Sequence, residues 1–573
     1  MKRVLLLCAV LALTCGATYA TDYVWSAGAV SAAYDCATAY TPNISPALSS
    51  ADRLIMDNNA GGLSAIMNAF PGSGTITLGA IEIDCGLMDF SNTNATMRLV
   101  AGNGQNGDLT VRYSGRWGGY GGNKTFDVDG NVYFQKGPGA GWTDYTTYYS
   151  SLVMRGTGKT LDMDMSAEQD GWKNVTVYDC ASVSAVRSPR ARNLFINGTI
   201  TGGTWTVDDF RGDSSVQFGP SGQMTGGELV MLHLGGTGTY NSTLGGGTYP
   251  ALTIYDSSGG SNTVKRIIRL KGDVTVTNDF SYDLSYGGYI THSEAVLDTD
   301  NGSGKISNLT VNGNLRIGRD AGWNVGAAGW AYESGIFANS STVTVKGDAT
   351  FDRYAYIKGG TSTWKFGGNV LFTSLYHFDN SDLKTTKIVL NGSGAQSVTI
   401  GDQAPIGDIE LDSAGGAISL GADVVLNGNF KVNVGNTGTF NNNGHYVVFA
   451  GKQVTEATAQ QIDARGADLG MVRIMDPPIL PSYAILMSDL AVSDNLDIDA
   501  GCKLFLNGFT LDLTGSDAAL YLGRNVLSGE GTWTVAEGGQ IIGAGAVPEP
   551  ATLLLLGTGA LGVLGYVRRR RLT

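Results

Sequence analysis

One segment of the chain has the residue types of a calcium-binding loop. Asp298-Thr299-Asp300-Asn301-Gly302-Ser303-Gly304 places side-chain oxygens at alternate positions and follows them with a glycine turn, as loops that bind Ca²⁺ require. A third acid and a later bidentate glutamate are missing. An ordinary turn is therefore the default interpretation, and Asp298 and Asp300 are the only candidate ligands for Ca²⁺.

Other residues capable of catalysis are scattered along the chain. The histidines are isolated in sequence, at His233, His292, His377 and His445. Acid pairs that could exchange protons during glycosidic bond cleavage are Asp162 with Asp164 and Asp208 with Asp209. Alternate acids on a strand usually face water, and no Cys or His pair has the spacing of a zinc site. Spacing alone therefore predicts no catalytic residue and no metal centre.

Between Thr21 and about Gly545 the sequence predicts short strands rather than helices. Apolar residues alternate with polar ones on both sides of a glycine turn, a pattern that indicates half-buried strands. The clearest turns are Asn312-Gly313-Asn314, Lys346-Gly347-Asp348, Gly367-Gly368-Asn369 and Asn427-Gly428-Asn429. Each unit is thus a strand, a polar corner and a second strand.

The turn glycines recur at intervals that are mostly close to multiples of about 20 residues, the length of one coil of a β-solenoid. They are Gly272, Gly313, Gly347, Gly368, Gly428 and Gly508. Asn-Gly between apolar runs is also a hairpin signal, so an array of antiparallel β-sandwiches is the alternative. We predict an all-β, right-handed parallel β-helix over residues 21–546, with its clearest repeats at about 260–545.

The N-terminus has the composition of a targeting segment. Lys2 and Arg3 precede an apolar run that ends at Leu13, and small residues then lead to Ala20. This order predicts a secretory signal peptide at residues 1–20, cleaved after Ala20. Acylation of Cys15 is the alternative, although the residues before it fit a lipoprotein signal poorly.

The C-terminus predicts a membrane anchor. Residues 551–567 carry no charge, and Arg568, Arg569, Arg570 and Arg571 follow them. Seventeen residues is the short end of a single transmembrane helix, and the arginine cluster is expected on the cytoplasmic side. The body of the protein would then lie outside the cytoplasm.

Together with Pro548, Glu549 and Pro550, this C-terminal segment resembles the PEP-CTERM sorting signal over residues 547–573. The resemblance implies a Gram-negative-type bacterium that makes exopolysaccharide. It also implies an exosortase, a membrane-embedded cysteine transpeptidase, that cuts near Pro548 to Pro550, so the helix is a temporary anchor. Proteins with this signal share neither a body fold nor an activity.

The periodicity of the body resembles that of exported bacterial β-helix proteins, including autotransporter passenger domains and pectate-lyase-like folds. Arg187-Ser188-Pro189-Arg190-Ala191-Arg192 is similar to the Arg-x-Pro-x-x-Arg pattern of pectate lyases, where an arginine is the base on a calcium-bound uronate. The resemblance would make Arg187 or Arg192 catalytic. The companion motifs of lyases and polygalacturonases are missing, so a basic loop without catalytic function is the default.

Charge and cysteine content limit the partners. The formal net charge is −13, and the two terminal segments hold six of the basic residues, so the body is more anionic still and repels nucleic acid. The body cysteines Cys36, Cys85, Cys180 and Cys502 are too few for a disulfide scaffold. Export permits a bridge between Cys36 and Cys85, but the sequence leaves their pairing open.

These observations favour an exported, exosortase-processed protein of the cell surface or exopolysaccharide matrix, with a structural or adhesive role and no cofactor. The alternative is a polysaccharide lyase or glycoside hydrolase on the same β-helix. Expected partners are the exosortase, the membrane before processing, and exopolysaccharide.

Overall fold

The computed structural model describes strands through most of the chain. The described residues are 21–25, 31–33, 40–41, 48–56, 66–68, 73–89, 94–118, 122–136, 150–163, 171–208, 213–233, 238–256, 264–283, 293–318, 334–352, 355–373, 383–401, 405–451, 455–475, 481–499, 501–516, 518–522, 527–528, 532–535 and 540–542. Within them the fold is a parallel β-solenoid, and its single helical element is a 3-10 turn at Glu456–Thr458. The prediction of an all-β parallel solenoid is confirmed, and the hairpin alternative is wrong.

The chain divides into two compact units, residues 1–337 with 354–356 and residues 338–353 with 357–573. In the first unit, twelve described strands form one sheet. They are Thr21–Trp25, Ser31–Ala33, Tyr40–Thr41, Asp52–Met56, Ile66–Asn68, Ala80–Asp89, Leu109–Gly118, Val132–Lys136, Lys159–Met163, Ser182–Ala185, Thr199–Gly202 and Gln223–Met224.

The remaining strands of the first unit form a second parallel network, which branches where Arg190–Ile196 pairs with both Thr204–Asp208 and Ser215–Phe218, and one small antiparallel pair. The network consists of Thr75–Leu78, Thr96–Leu99, Lys124–Val128, Ser150–Met154, Trp172–Val177, Arg190–Ile196, Thr204–Asp208, Ser215–Phe218, Glu228–His233, Gly238–Tyr249, Leu252–Asp256, Val264–Val276, Phe280–Asp283, Ser293–Asp298, Leu309–Val311, Leu315–Gly318 and Ser334–Phe337. The antiparallel pair is Ala101–Gly102 with Gln105–Asn106.

The strands beyond residue 338 continue the same pattern. They are Thr342–Val345, Ala349–Phe351, Ala355–Lys358, Thr363–Phe366, Val370–Phe372, Lys387–Leu390, Gln396–Ile400, Asp408–Leu411, Ile418–Leu420, Val424–Leu426, Phe430–Val432, Phe440–Asn441, Tyr446–Phe449, Gln460–Asp463, Met471–Ile474, Tyr483–Leu486, Leu490–Val492, Asn495–Ile498, Lys503–Phe505, Thr510–Leu513, Ala519–Leu522, Leu527–Ser528, Thr532–Val535 and Gln540–Ile542. Six of them form a separate sheet, which we call the six-stranded sheet: Val424–Leu426, Tyr446–Phe449, Met471–Ile474, Asn495–Ile498, Ala519–Leu522 and Gln540–Ile542.

Every inward side chain stacks on its equivalent in the next coil. In the six-stranded sheet, Val424, Val447, Val472 and Leu496 lie in register on successive strands, and all four are buried. Burying an aliphatic side chain of this kind stabilises the fold by roughly 1.5–3 kcal/mol. The alternation of apolar and polar residues thus places the apolar residues of each strand inside the solenoid.

At corners of the solenoid, a side-chain oxygen of one coil accepts a hydrogen bond from a backbone N–H of the next coil. The Asp408 carboxylate accepts the backbone N–H of Asn429 at 2.7 Å, and the Asn429 side-chain oxygen accepts the N–H of Gln461 at 2.8 Å. We call this arrangement the corner ladder. It occurs in both units, with acceptors including Asp108, Asn131, Asp273, Asp279, Asp348, Asn369 and Asp489.

The corner ladder explains why glycine precedes the residue whose backbone N–H donates the ladder bond at Asn314, Asn369 and Asn429. A Cβ built at Gly313, Gly368 or Gly428 would collide with the ladder carboxylate of the preceding coil. Of the turn glycines predicted from sequence, Gly313, Gly368 and Gly428 are therefore required by the close approach of two coils, whereas Gly508 has open space around its Cα and a positive φ of 79°. The ladder bonds join residues that are 21 apart at Asp348 and 35 apart at Asp273, so coils longer than about 20 residues carry insertions between corners.

We predict that Gly428→Ala lowers the free energy of unfolding by about 1–3 kcal/mol, because its Cβ would displace the Asp408 carboxylate from the Asn429 N–H. Chemical denaturation monitored by circular dichroism measures the change. Gly435→Ala is the matched control, since a Cβ there meets nothing within 4 Å. Equal stability of the two variants would contradict this account of the corner.

Candidate functional site

The arginine-rich segment forms the corner between two strands, Ser182–Ala185 and Arg190–Ile196. The Arg187 guanidinium donates to both carboxylate oxygens of Asp162, from Nε to Oδ1 at 2.6 Å and from Nη2 to Oδ2 at 3.0 Å. Asp162 Oδ2 also accepts a hydrogen bond from Gln135 Nε2 at 2.9 Å. Residues of three coils therefore meet at one carboxylate on the outer face of the first unit.

This pairing shifts the pKa of Asp162. Burial alone would raise the pKa of Asp162, but the hydrogen bonds from Arg187 and Gln135 outweigh it and hold the pKa below its usual value. The ionised carboxylate and the charged guanidinium are thus mutually stabilised. Such a pair joins coils and gives Arg187 a contact that a proton-abstracting base would have to break.

Arg190 and Arg192 contact different residues from Arg187. Arg190 Nε donates to Asp208 Oδ2 at 3.2 Å, and Arg192 Nε donates to the backbone carbonyl of Asp213 at 2.7 Å. Asp162 and Asp208, the described members of the two acid pairs, are thus each paired with an arginine one coil away. The acids that neighbour them in sequence, Asp164 and Asp209, lie outside the described residues.

The candidate calcium ligands take part in turn hydrogen bonds. Asp298 Oδ1 accepts the N–H of Asp300 at 3.0 Å, and Asp300 Oδ1 accepts the N–H groups of Gly302 and Gly304 at 2.8 and 3.0 Å. Among the described residues no group of three or more His, Cys, Asp or Glu side chains could hold a metal ion. This geometry is that of a hydrogen-bonded turn, the default interpretation, and Asp298 and Asp300 remain only candidate ligands for Ca²⁺.

The described cysteines and histidine lie apart. Cys180 is an exposed thiol and Cys502 a buried one. His445 Nδ1 lies 3.6 Å from Asp423 Oδ1. The side chains of Cys85 and His233 lie outside the described part of the structure. Cys36, His292 and His377 fall outside the described residues, as do Ala20, the Pro548-Glu549-Pro550 motif, the apolar segment 551–567 and Arg568 to Arg571.

The outer face of the six-stranded sheet holds a group of polar and aromatic side chains that the sequence analysis missed. Val448, Arg473, Asp497 and Tyr521 lie in register on four successive strands. Arg473 donates to Asp499 from Nε at 3.3 Å and from Nη2 at 3.0 Å. No sequence motif marks the group, because its members are brought together by the coil register.

Two side chains on this outer face, Tyr446 and Asp497, have pKa values above their usual range. Burial, with a hydrogen bond to Asp497, raises the pKa of Tyr446 to about 12. Burial also raises the pKa of Asp497, although the Tyr446 hydroxyl and the Arg473 charge act in the opposite direction. The sheet thus keeps an acid in a place where its charged form is disfavoured, a common property of functional sites.

Comparison with known proteins identifies the C-terminal segment. Residues 546–571 match the model of the PEP-CTERM protein-sorting motif, whereas no curated protein and no solved structure matches the chain significantly. The predicted PEP-CTERM signal is confirmed. It fits a terminal transmembrane segment, although no helix within the described ranges has the length and apolar character to cross a bilayer.

We predict that Asp162→Asn and Arg187→Ala each lower the free energy of unfolding by about 1–2 kcal/mol at pH 7, because each leaves a partner without its ion pair. Since folding lowers the pKa of Asp162, its contribution is present above its unfolded-state pKa of about 3.9 and is lost as pH falls through the folded-state value.

A double-mutant cycle followed by thermal unfolding from pH 7 to pH 2 checks this prediction. Coupling between the two positions at pH 7 that disappears in acid is the expected result. Additive effects at pH 7 would show that the pair contributes nothing to stability.

Proposed function

We propose that this chain is a structural or adhesive protein of the cell surface or exopolysaccharide matrix, built on a β-solenoid and processed by an exosortase. The observation that carries the proposal is the PEP-CTERM motif at residues 546–571, which implies an exported protein that is held transiently in the membrane and sorted by exosortase. A solenoid fits a structural or surface role.

Processing follows from the order of the C-terminal segments. The signal peptide, cleaved after Ala20, directs export, and the apolar helix at 551–567 then holds the chain with Arg568 to Arg571 on the cytoplasmic side. Exosortase cuts near Pro548 to Pro550. Because Ile542 ends the last described strand, five residues separate it from Pro548 and span at most about 20 Å, so the cut would occur within that distance of the last described strand.

The setting is a Gram-negative-type bacterium that secretes exopolysaccharide, as the motif's usual context suggests. The catalytic alternative loses support from the geometry of its own candidate, because Arg187 is held by Asp162. An anionic body with few charged residues and many hydroxyl and amide groups is suited to hydrogen bonding with sugars.

We expect the replacement of Pro548, Glu549 and Pro550 by alanine to leave a full-length, membrane-held form in the producing bacterium, because exosortase would no longer recognise its substrate. Immunoblots of membrane and extracellular fractions distinguish the two forms. Alanine at Gly543 and Gly545 is the control and should leave processing intact. Unchanged processing of the Pro-Glu-Pro variant would exclude exosortase as the processing enzyme.

We also expect the processed protein, purified from the producing cells, to co-sediment with the cells' own extracellular polysaccharide and to release no product from it. Reducing ends and unsaturated uronates are measured in parallel, with and without Ca²⁺. Product formation that Arg187→Ala or Arg192→Ala abolishes would replace the structural role by lyase activity. Absence of both binding and product would exclude a polysaccharide-associated role.

A further inference from the structure

The group on the outer face of the six-stranded sheet consists of Tyr446, Arg473, Asn495, Asp497 and Tyr521, and we call it the Asp497 strip. Arg473, Asp497 and Tyr521 are opposite one another on neighbouring strands, so consecutive side chains are about 4.8 Å apart along the stack. Tyr446 and Asn495 belong to the adjacent row, next to Met471. The strip is thus a regularly spaced group of polar and aromatic side chains.

Tyr521 presents an open aromatic ring to solvent. Its side chain is 40% exposed, and within the described residues it has no hydrogen bond, ion pair or ring contact. Tyr178 in the first unit is similarly exposed, at 42%, but the Arg155 guanidinium covers its ring at 3.8 Å. Of these two tyrosines, Tyr521 alone offers a face on which a ligand could stack.

The one cation of the strip, Arg473, is already engaged by Asp499, an acid beside the strip. Asp499 engages Arg473 through two hydrogen bonds, and the Tyr446 hydroxyl lies between Asp497 and Asn495 as a hydrogen-bond partner of both. Carboxylate oxygens, guanidinium N–H groups and an amide keep hydrogen-bonding capacity at the surface. This combination suits a ligand that carries hydroxyl groups and no net charge.

The ionised side chain of Asp497 also lowers the stability of the fold at this position. Burial raises its pKa, so its ionised form costs stability at neutral pH, and an uncharged side chain would fold at least as well. Acids whose charged form is disfavoured are common at functional sites. The stability cost therefore supports binding over a purely structural role.

We propose that the Asp497 strip binds an uncharged polysaccharide, with a sugar ring stacked on Tyr521 and its hydroxyl groups hydrogen-bonded to Asp497, Asn495 and Arg473. Aromatic rings offer sugars an apolar face together with a polar edge, and the repeated coil spacing matches a repetitive polymer. This inference rests on the proposed function, since the strip would supply the contact by which the protein associates with exopolysaccharide.

Affinity electrophoresis of the processed protein tests the strip. The probe is deproteinised extracellular polysaccharide of the producing strain, separated by anion exchange into uncharged and anionic fractions. We expect the uncharged fraction to retard the protein. Tyr521→Ala should weaken the apparent affinity by roughly 3- to 10-fold, the scale of one aromatic contact. Asp497→Asn should weaken it while leaving the melting temperature unchanged or higher.

Tyr178→Ala is the matched control, because it removes an equally exposed tyrosine whose ring is already covered, and it should leave retardation unchanged. Equal losses in Tyr521→Ala and Tyr178→Ala, or retardation by the anionic fraction only, would overturn the strip as the site. Retardation that neither Tyr521→Ala nor Asp497→Asn changes would also overturn it and leave the proposed matrix role standing.

Cell fractionation of the same variants separates the two proposals further. Tyr521→Ala is expected to be exported and processed normally but released from the matrix into the medium. Reducing ends that appear with wild type and disappear with Asp497→Asn would overturn simple binding in favour of hydrolysis at the strip.

Discussion

The need to satisfy the backbone at every corner governs this fold. Strands of neighbouring coils satisfy their own N–H groups by pairing, but each turn leaves amides that another group must accept. Carboxylate and amide side chains of the preceding coil accept them, as Asp348 does for Asn369 and Asp408 for Asn429. The close approach this requires leaves no room for a Cβ at Gly368 and Gly428. Position-specific glycine, ladder acid and flanking apolar residues therefore form one unit.

This unit explains which features the sequence predicts. Strand, corner and strand around Gly313 or Gly428 are local, so alternation and turn chemistry identify them. The PEP-CTERM motif is likewise contiguous. The contacts of Asp162 with Arg187, or of Asp497 with Arg473 and Tyr446, are not local. Because ladder bonds join residues from 21 to 35 positions apart, no fixed spacing identifies side chains that share a face, and chemistry created by register stays hidden until the coils are stacked.

The same register organises the charges. Acidic and basic side chains meet across coils, for example Asp127 between Arg98 and Arg155, and hydroxyl and amide groups form a chain from Ser151 through Asn174 and Asn193 to Ser215. Such pairs contribute little individually when exposed, but they neutralise outward rows that would otherwise repel. A low content of charged residues thus still gives a soluble outer surface, while groups outside these pairs, such as Tyr521, stand out as candidates for binding.

The short stretch of sequence between the last described strand and the sorting motif has a mechanical consequence. A chain pulled from its C-terminus, whether by the membrane or by an attached polymer, loads the hydrogen bonds of Gln540–Ile542 against Ala519–Leu522 before those of any earlier described strand of the sheet. Coils would then peel away one after another, each releasing its length of chain at a similar low force. A protein built in this way would dissipate a pull as successive extension steps and would rewind as tension fell.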